Sequence, residues 1–246
     1  MIRFIILASF VILFLILSIP LLIAEWIIGK FNMDLKNRSS LAIVNWAFRG
    51  CLWVAGTKVI VRGEENVPKE EPVLYVGNHR SYFDIVITYA RCPRPTGYVA
   101  KDSMLKIPFL SGWMKRLHCL FLDRKDLKAG MKMILTGIEQ IKGGISMCIF
   151  PEGTRVQSQT ETDMLPFKEG SLKMAEKTGC AIIPMALTHT ADIFENHIPF
   201  IRRTRVALIY GKPVYPKQLD KEQRRHMGAY TQELIRGMLE EALNRE

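Results

Sequence analysis

Beyond residue 57 the chain alternates short apolar runs with longer segments of mixed polarity. Each run is four to seven residues long and rich in aliphatic or aromatic side chains, which is typical of buried β-strands. The pattern predicts strands at residues 58–63, 73–78, 97–100, 117–123, 146–151, 181–187 and 205–211.

Two segments in this region show the period of amphipathic helices. In the first, apolar residues recur at spacings of four, three, four and three until two glycines end the pattern, so we predict that this stripe is core. Its members are Leu127, Met131, Ile134, Ile138 and Ile141. The second segment, residues 221–244, is predicted to dock on the domain through Tyr230, Leu234, Met238 and Leu239. Strands separated by helices predict an α/β fold, a layered domain with a largely parallel mixed sheet flanked by helices.

The amino-terminal part of the chain is strongly apolar. Residues 4–24 form a run of 21 positions without a charge, about the length that an α-helix needs to cross a bilayer. A signal peptide is disfavoured because the run is too long and no A-x-A-like site follows, and a buried core helix is the other alternative. The shorter apolar stretch 41–56 contains two tryptophans and suits an interfacial helix or a hairpin. We therefore predict a membrane-anchoring helical segment, 1–57, and an α/β domain, 58–246.

The charge balance is basic, with 34 Lys and Arg against 24 Asp and Glu and a formal net charge of +10. Such a surface favours nucleic acid, acidic lipid, phosphorylated metabolites or an acidic carrier protein. Nucleic acid is disfavoured because the chain has no recognition-helix or aromatic RNA-binding signature. By the positive-inside tendency, the basic chain after the first apolar run predicts a domain on the cytoplasmic face of a membrane, the plasma or inner membrane if bacterial.

The cysteines and short motifs exclude several kinds of site. Five scattered cysteines without Cys-x-x-Cys spacing argue against a disulfide framework or a zinc site. The sequence contains no HExxH helix, no paired Cys/His ligand set and no P-loop, so we expect neither a metal nor a cofactor.

The stretch GNHRSYFDI, residues 77–85, has two interpretations. As a capping box, Ser81 is the N-cap of a helix and Asp84 its N3 residue. As a catalytic pair, Asp84 orients the imidazole of His79, which acts as general base. The two side chains lie about 140° apart on an ideal helix, so the pair requires His79 in a loop at the carboxyl end of a strand, where open α/β sheets place ligands. On this stretch alone both interpretations stay open.

A second polar motif, FPEGTR at residues 150–155, follows an apolar strand. It combines a rigid proline, a glycine that permits close backbone approach, a carboxylate, a hydroxyl and a guanidinium. An ordinary Pro-Glu-Gly turn is the alternative. Either way, a sharp turn that presents polar groups is expected here.

In this order, about 70 residues apart, the two motifs resemble those of the glycerolipid acyltransferase family, the 1-acyl-sn-glycerol-3-phosphate (lysophosphatidate) acyltransferases in particular. Asn78, His79 and Asp84 match its N-H-x4-D block (the HX4D motif), and FPEGTR is complete. Weaker matches are the run ending at Asp123 and Arg124, the run around Pro184, and the segment with Lys101, Pro108 and Gly112. The resemblance covers about residues 70–190.

The resemblance implies acyl transfer from acyl-ACP or acyl-CoA to the sn-2 hydroxyl of 1-acylglycerol 3-phosphate, giving phosphatidic acid. His79 and Asp84 are then the catalytic pair. Transfer is direct, because the chain has no GxSxG elbow and Ser81 suits a cap better than a nucleophile. Arg124 and Arg155 are the best candidates for the acceptor phosphate, since guanidinium groups bind phosphate through paired hydrogen bonds. The resemblance adds Lys101, Glu152, Gly153 and Thr154 to the substrate-binding set.

Two other functions stay open at this point. The same scaffold acylates other acceptors, such as glycerol 3-phosphate or another lysolipid, although the small size of the chain favours lysophosphatidate. A noncatalytic, membrane-tethered lipid- or carrier-binding protein is opposed by the His79–Asp84 pair, which binding alone does not require. The expected partners are therefore lysophosphatidic acid, an acyl-ACP or acyl-CoA donor, and the bilayer.

Overall fold

The computed structural model describes residues 1–123 and 126–245. The helices in this part of the chain are α1 (Ile2–Leu17), α2 (Ile19–Phe31), α3 (Met33–Ala55), α4 (Tyr82–Tyr89), α5 (Leu110–Arg116), α6 (Leu127–Lys142), α7 (Lys173–Thr178), α8 (Lys221–Arg225) and α9 (Met227–Leu243). The strands are β1 (Lys58–Arg62), β2 (Leu74–Gly77), β3 (Thr96–Lys101), β4 (Leu120–Leu122), β5 (Ser146–Ile149), β6 (Ile182–Thr188) and β7 (Arg205–Tyr210).

The strands form one sheet in the order β1-β7-β6-β2-β5-β3-β4. Neighbouring strands are parallel except for β6 and β7, which are antiparallel. The carboxyl ends of β6, β2, β5, β3 and β4 therefore meet at one border of the sheet, here called the carboxyl edge. Each predicted strand corresponds to one of these strands, and the predicted α/β class with a largely parallel mixed sheet is confirmed.

Helices cover both faces of the sheet because side chains alternate between the faces along each strand. In β2, Tyr75 packs with α3, α4 and α5, and this face also receives side chains of α1 and α2; we call these helices the amino-terminal layer. Leu74 and Val76 point the other way and pack with α6, α7 and α9, the carboxy-terminal layer. The two layers thus lie on opposite sides of the sheet.

The amino-terminal apolar run is not the single helix that its length predicted. It breaks at Ser18, and α1 and α2 are bent by 46° relative to each other. Pro20 explains the break, since it has no N–H to donate to the carbonyl of Ile16. The Ser18 hydroxyl accepts a hydrogen bond from Trp113 Nε1 at 2.8 Å, which ties the bend to α5. Within the described residues no one helix meets the length and hydropathy expected of a bilayer span, although α1 and α2 together do.

The second apolar stretch is the last part of α3, which packs back against α1 and α2 and also against α4. Polar contacts fix this arrangement. Ser40 donates to the buried Glu25 carboxylate at 2.7 Å, and the Lys36 ammonium donates to the carbonyl of Arg116 at 2.9 Å. The hairpin interpretation therefore describes the stretch well, while the membrane-anchoring role of residues 1–57 stays a prediction.

Both helical patterns of the domain correspond to helices, with one error in α6. Ile138 and Ile141 are buried as predicted, but Met131 is 69% exposed, so its assignment to the core is wrong. The reason lies at Gly137, where an added Cβ would come within 2.5 Å of the Met174 sulfur of α7. This close approach turns Met133 inward and Met131 outward. The side chain of Leu127 lies outside the described residues.

The carboxy-terminal pattern is divided at His226 into α8 and α9. As predicted, α9 docks on the domain, with Leu239 fully buried and Tyr230, Leu234 and Met238 half-buried. Ile235, which is fully buried, was absent from the predicted stripe.

The packing of α6 can be tested with two alanine substitutions on one helix. We expect Ile138→Ala to lower the free energy of unfolding by about 2–5 kcal/mol, because it leaves a cavity in the core. Met131→Ala should change it by less than about 0.5 kcal/mol, as for other exposed positions. Urea unfolding followed by circular dichroism measures both values, and similar losses for the two variants would contradict the observed orientation of the helix.

Candidate active site

The first motif joins the carboxyl end of β2 to the start of α4. Asn78 follows β2, and its side chain both donates to the carbonyl of Leu187 and accepts from its N–H, each at 2.9 Å. His79 and Arg80 form the connecting loop, and Ser81 is the N-cap of α4. The loop therefore lies at the carboxyl edge, as predicted, and is tied there to β6.

One oxygen of the Asp84 carboxylate satisfies both interpretations of this stretch. Oδ2 accepts hydrogen bonds from the N–H groups of Arg80 and Ser81, at 2.7 and 2.8 Å, and lies 2.8 Å from His79 Nδ1. The Ser81 hydroxyl accepts from the N–H of Phe83 at 3.0 Å, which completes the capping box. The cap and the His–Asp pair coexist, because the cap fixes the aspartate that orients the histidine.

The imidazole of His79 is held on two sides. Its ring stacks on Phe150, with centroids 4.4 Å apart and planes 18° apart, while Nδ1 faces the fully buried Asp84. An ionised carboxylate only accepts hydrogen bonds, so Nδ1 carries the proton of the neutral ring and Nε2 carries the lone pair. Within the described residues no hydrogen bond engages Nε2, and 13% of the side chain is exposed. The ring is therefore oriented to accept a proton at Nε2.

The second motif is linked to the first by Glu152. This buried carboxylate accepts from the N–H of His79 at 2.7 Å through one oxygen and from the N–H of Leu165 at 2.8 Å through the other. Burial raises the pKa of Glu152, and the two amide donors oppose that effect. Both oxygens are thus bonded to backbone, so Glu152, which the resemblance assigns to substrate binding, here supports the loop that carries the histidine.

Gly153 makes the turn of the second motif possible. Its φ of +76° lies in the left-handed region that favours glycine, and its N–H donates to the carbonyl of Phe150 at 3.0 Å. An added Cβ would lie 2.7 Å from the ammonium nitrogen of Lys168. The backbone N–H of Lys168 donates to the carbonyl of Pro151 at 3.2 Å. A cation that the sequence analysis overlooked therefore rests on this turn.

Arg80 fixes the segment that follows the second motif. Its buried guanidinium donates to the carbonyls of Ser158 and Thr160, the latter at 2.9 Å. The N–H of Val156 donates to the carbonyl of His79 at 2.8 Å. The two motifs and the chain after them consequently form one connected unit at the carboxyl edge.

Arg155, the candidate phosphate ligand, has an acidic partner that the sequence did not reveal. Its Nη1 lies 3.0 Å from Glu195 Oε1, and its guanidinium lies over the Tyr82 ring at 3.7 Å from the centroid. Glu195 also accepts from the Ser81 hydroxyl and the N–H of Tyr82, each at 2.7 Å. This carboxylate therefore joins the arginine of one motif to the first turn of the helix in the other, although it lies 40 residues beyond Arg155.

The remaining predicted residues have less defined surroundings. Thr154 is exposed on the turn of the second motif, and Lys101 is exposed at the carboxyl end of β3. Arg124 lies outside the described residues. The structure thus brings together His79, Asp84, Glu152, Gly153 and Arg155, and it places Lys101 only at the same border of the sheet.

The sequence of this chain is similar to those of known acyltransferases. A family model described as Acyltransferase matches residues 58–188, which include both motifs. The chain is 36% identical over 163 residues to the 1-acyl-sn-glycerol-3-phosphate acyltransferase of Borreliella burgdorferi, a match that covers 66% of this chain and 64% of that protein. It is 30% identical over 185 residues to the probable 1-acyl-sn-glycerol-3-phosphate acyltransferase of Mycoplasma pneumoniae, covering 70% and 68%. The chain thus spans just under two thirds of the first of these relatives.

A solved structure shares the architecture. The crystal structure of the 1-acyl-sn-glycerophosphate (LPA) acyltransferase PlsC from Thermotoga maritima matches with a TM-score of 0.73, covering 92% of this chain and 96% of that one. The sequences are 24% identical over the match, so the likeness shows a common fold.

The role of Glu195 can be tested in an acyl-transfer assay with a phosphorylated acceptor. We expect Glu195→Ala to raise the KM for the acceptor by up to about tenfold with a smaller change in kcat, because Arg155 loses the carboxylate that holds its guanidinium in place and must be ordered when the phosphate binds. Glu195→Gln keeps a neutral acceptor for the helix N-terminus and should fall between the parent and the alanine variant. A fall in kcat at constant KM would show that Glu195 acts on another step.

Proposed function

Because this chain belongs to the acyltransferase family, we propose that it transfers a fatty acyl group from a thioester, acyl-ACP or acyl-CoA, to the sn-2 hydroxyl of 1-acylglycerol 3-phosphate. The product is phosphatidic acid. The observation that carries the proposal is the 2.8 Å contact of His79 Nδ1 with the buried Asp84 carboxylate, since deprotonation of an alcohol requires an oriented base. The named activities of the two bacterial relatives support this choice of acceptor.

The proposed reaction is a direct transfer. His79 Nε2 takes the proton of the sn-2 hydroxyl as its oxygen attacks the thioester carbonyl carbon. A C–O bond forms, the C–S bond breaks, and the thiolate takes the proton from the imidazolium. The Asp84 carboxylate stabilises the imidazolium while it exists, and it holds the ring in the tautomer that leaves Nε2 unprotonated.

We place the acceptor phosphate beside the second motif. Arg155 offers paired donors, and the ammonium of Lys168 rests against Gly153 on the same turn. Thr154 contributes a hydroxyl, and the proposed set is completed by Arg124 and Lys101. Because Arg155 is bonded to Glu195, binding of a phosphate requires that the guanidinium shares its donors between the two anions.

The apolar helices support the proposal that the acceptor is taken from a bilayer. Large side chains are exposed along α1 and α2, including Ile12, Ile16 and Trp26, each at least half exposed; such a continuous apolar surface is typical of membrane contact. Phe4 of α1 stacks on Phe194 at 5.6 Å, next to the carboxylate that holds Arg155. We therefore propose that residues 1–57 rest in the membrane and hold the active site at its cytoplasmic surface.

The catalytic pair is tested by His79→Ala in purified protein held in detergent or lipid, with a long-chain acyl thioester and 1-acylglycerol 3-phosphate. We expect phosphatidate formation to fall by about 10²–10⁴-fold, the usual contribution of a general base. His226→Ala, an exposed histidine between α8 and α9, is the control and should retain the parent rate.

The same assay separates the alternatives. If the parent acylates glycerol 3-phosphate or another lysolipid but not lysophosphatidate, the mechanism stands and the proposed acceptor is wrong. If no acceptor is acylated with either donor, the noncatalytic binding protein becomes the better interpretation.

Membrane contact is tested by co-sedimentation with vesicles that contain anionic lipid. We expect the double variant Ile12→Glu, Ile16→Glu to have an affinity for the vesicles at least about tenfold lower than that of the parent, because two side chains that enter the bilayer become charged. The control is Met131→Glu, Leu135→Glu, which introduces two glutamates at the same spacing at exposed apolar positions of α6, across the sheet from α1. Equal loss in both variants would contradict the assignment of α1 to the membrane surface.

A further inference from the structure

The outward side of α6 carries a surface that the fold does not explain. Met131 is 69% and Leu135 is 61% exposed, and Lys128 and Lys132 are exposed beside them. Residues at these spacings share one side of a helix, so the four side chains form a continuous patch, here called the α6 outer face. Large apolar side chains grouped in this way, with charges at their border, are typical of binding surfaces.

The α6 outer face lies beside the proposed active site. The chain leaves β4 at the carboxyl edge, and α6 begins at Leu127, five residues after β4 ends. The outer face occupies the first turns of the helix and is therefore near that edge. β4 is three positions from β2 in the sheet, which separates it from the strand that precedes His79 by roughly 14 Å.

The position of α6 argues against a membrane as the occupant of this face. α6 belongs to the carboxy-terminal layer, whereas α1 and α2 pack on the opposite side of the sheet. If the apolar helices rest on a bilayer, the α6 outer face points away from it. The occupant is therefore expected to approach from the aqueous side.

The charges of the face define the chemistry of that occupant. Among residues 1–123 and 126–245, no ion pair engages Lys128 or Lys132, while the only carboxylate of α6, that of Glu139, is bonded to Lys142 at 3.0 Å. Two unpaired cations around two apolar side chains complement a partner that presents carboxylates around an apolar centre. Methionine adapts its shape to such a partner.

We propose that the α6 outer face is the docking surface for an acidic acyl carrier protein that delivers the thioester. Lys128 and Lys132 pair with carboxylates of the carrier, Met131 and Leu135 pack against its apolar side chains, and its flexible prosthetic arm spans the distance to His79. This inference rests on the proposed function and adds the identity of the donor. Acyl-CoA has no protein surface, so under this proposal its binding does not need contacts with Met131 and Leu135.

The test compares two donors with the same acyl chain, acyl carrier protein and acyl-CoA, on the full-length protein with 1-acylglycerol 3-phosphate. We expect Lys128→Glu, Lys132→Glu to lower kcat/KM for the carrier about tenfold or more, mainly through KM, and to leave acyl-CoA within about twofold of the parent. Met131→Ser, Leu135→Ser should act in the same direction without loss of thermal stability, since both side chains are exposed. The matched control is Lys221→Glu, Arg225→Glu, which reverses two exposed charges at the same spacing on α8.

Each outcome decides the proposal. Selective loss with the carrier in both α6 variants, with the α8 control unchanged, supports it. Equal loss with both donors, or no loss, overturns it. If the parent forms phosphatidate from acyl-CoA but not from the carrier, the docking proposal fails and the proposed function stands. If the parent uses neither donor, the proposed function fails and the docking proposal fails with it.

Discussion

The site depends on the Asp84 carboxylate, of which one oxygen receives two backbone N–H groups and faces the imidazole of His79. Burial of a carboxylate costs free energy, which hydrogen-bond donors offset. The loop before α4 supplies two donors to Oδ2, the N–H of Arg80 and that of Ser81, the N-cap, whose amide has no partner within the helix. The bonds to Oδ2 thus hold the aspartate and set the orientation of the histidine, while Oδ1 is buried without a hydrogen-bond partner among the described residues.

Two other carboxylates extend this arrangement from one motif to the next. Glu152 bonds the N–H of His79, and Glu195 bonds Arg155 together with the N-terminus of α4. Both carboxylates bond backbone N–H groups, and Glu195 also bonds two side chains, so each joins segments that are distant in the sequence. His79, the proposed general base, and Arg155, the proposed phosphate ligand, are consequently held in a defined relation to each other before any substrate binds, and such preorganisation lowers the cost of ordering groups during a reaction.

Features that depend on a local sequence pattern could be predicted from the sequence. Features that depend on contacts between distant parts of the chain were predicted less well. Apolar runs are enough to locate strands, and the spacing in GNHRSYFDI is enough to place a histidine ahead of a helix. Met131 was misassigned because the orientation of α6 is set by Gly137 against Met174, a contact between distant parts of the chain. Glu195 was missed because no motif marks a carboxylate 40 residues away, and the break at Ser18 was missed although Pro20 signals it.

The two helix layers present different surfaces on opposite sides of the sheet, next to the carboxyl edge. The proposed acceptor has a long acyl chain and is poorly soluble in water, and the apolar surface of α1 and α2 lies on the side of the sheet that also carries α4 and Asp84. The proposed carrier-bound donor is soluble and acidic, and the α6 outer face, with its two lysines, lies across the sheet. Since β2 occupies the middle of the sheet, His79 at its carboxyl end lies between the two layers. The two proposals together have the acceptor and the donor approach from opposite layers, and a single sheet with unlike helices on its faces is sufficient to separate the two approaches.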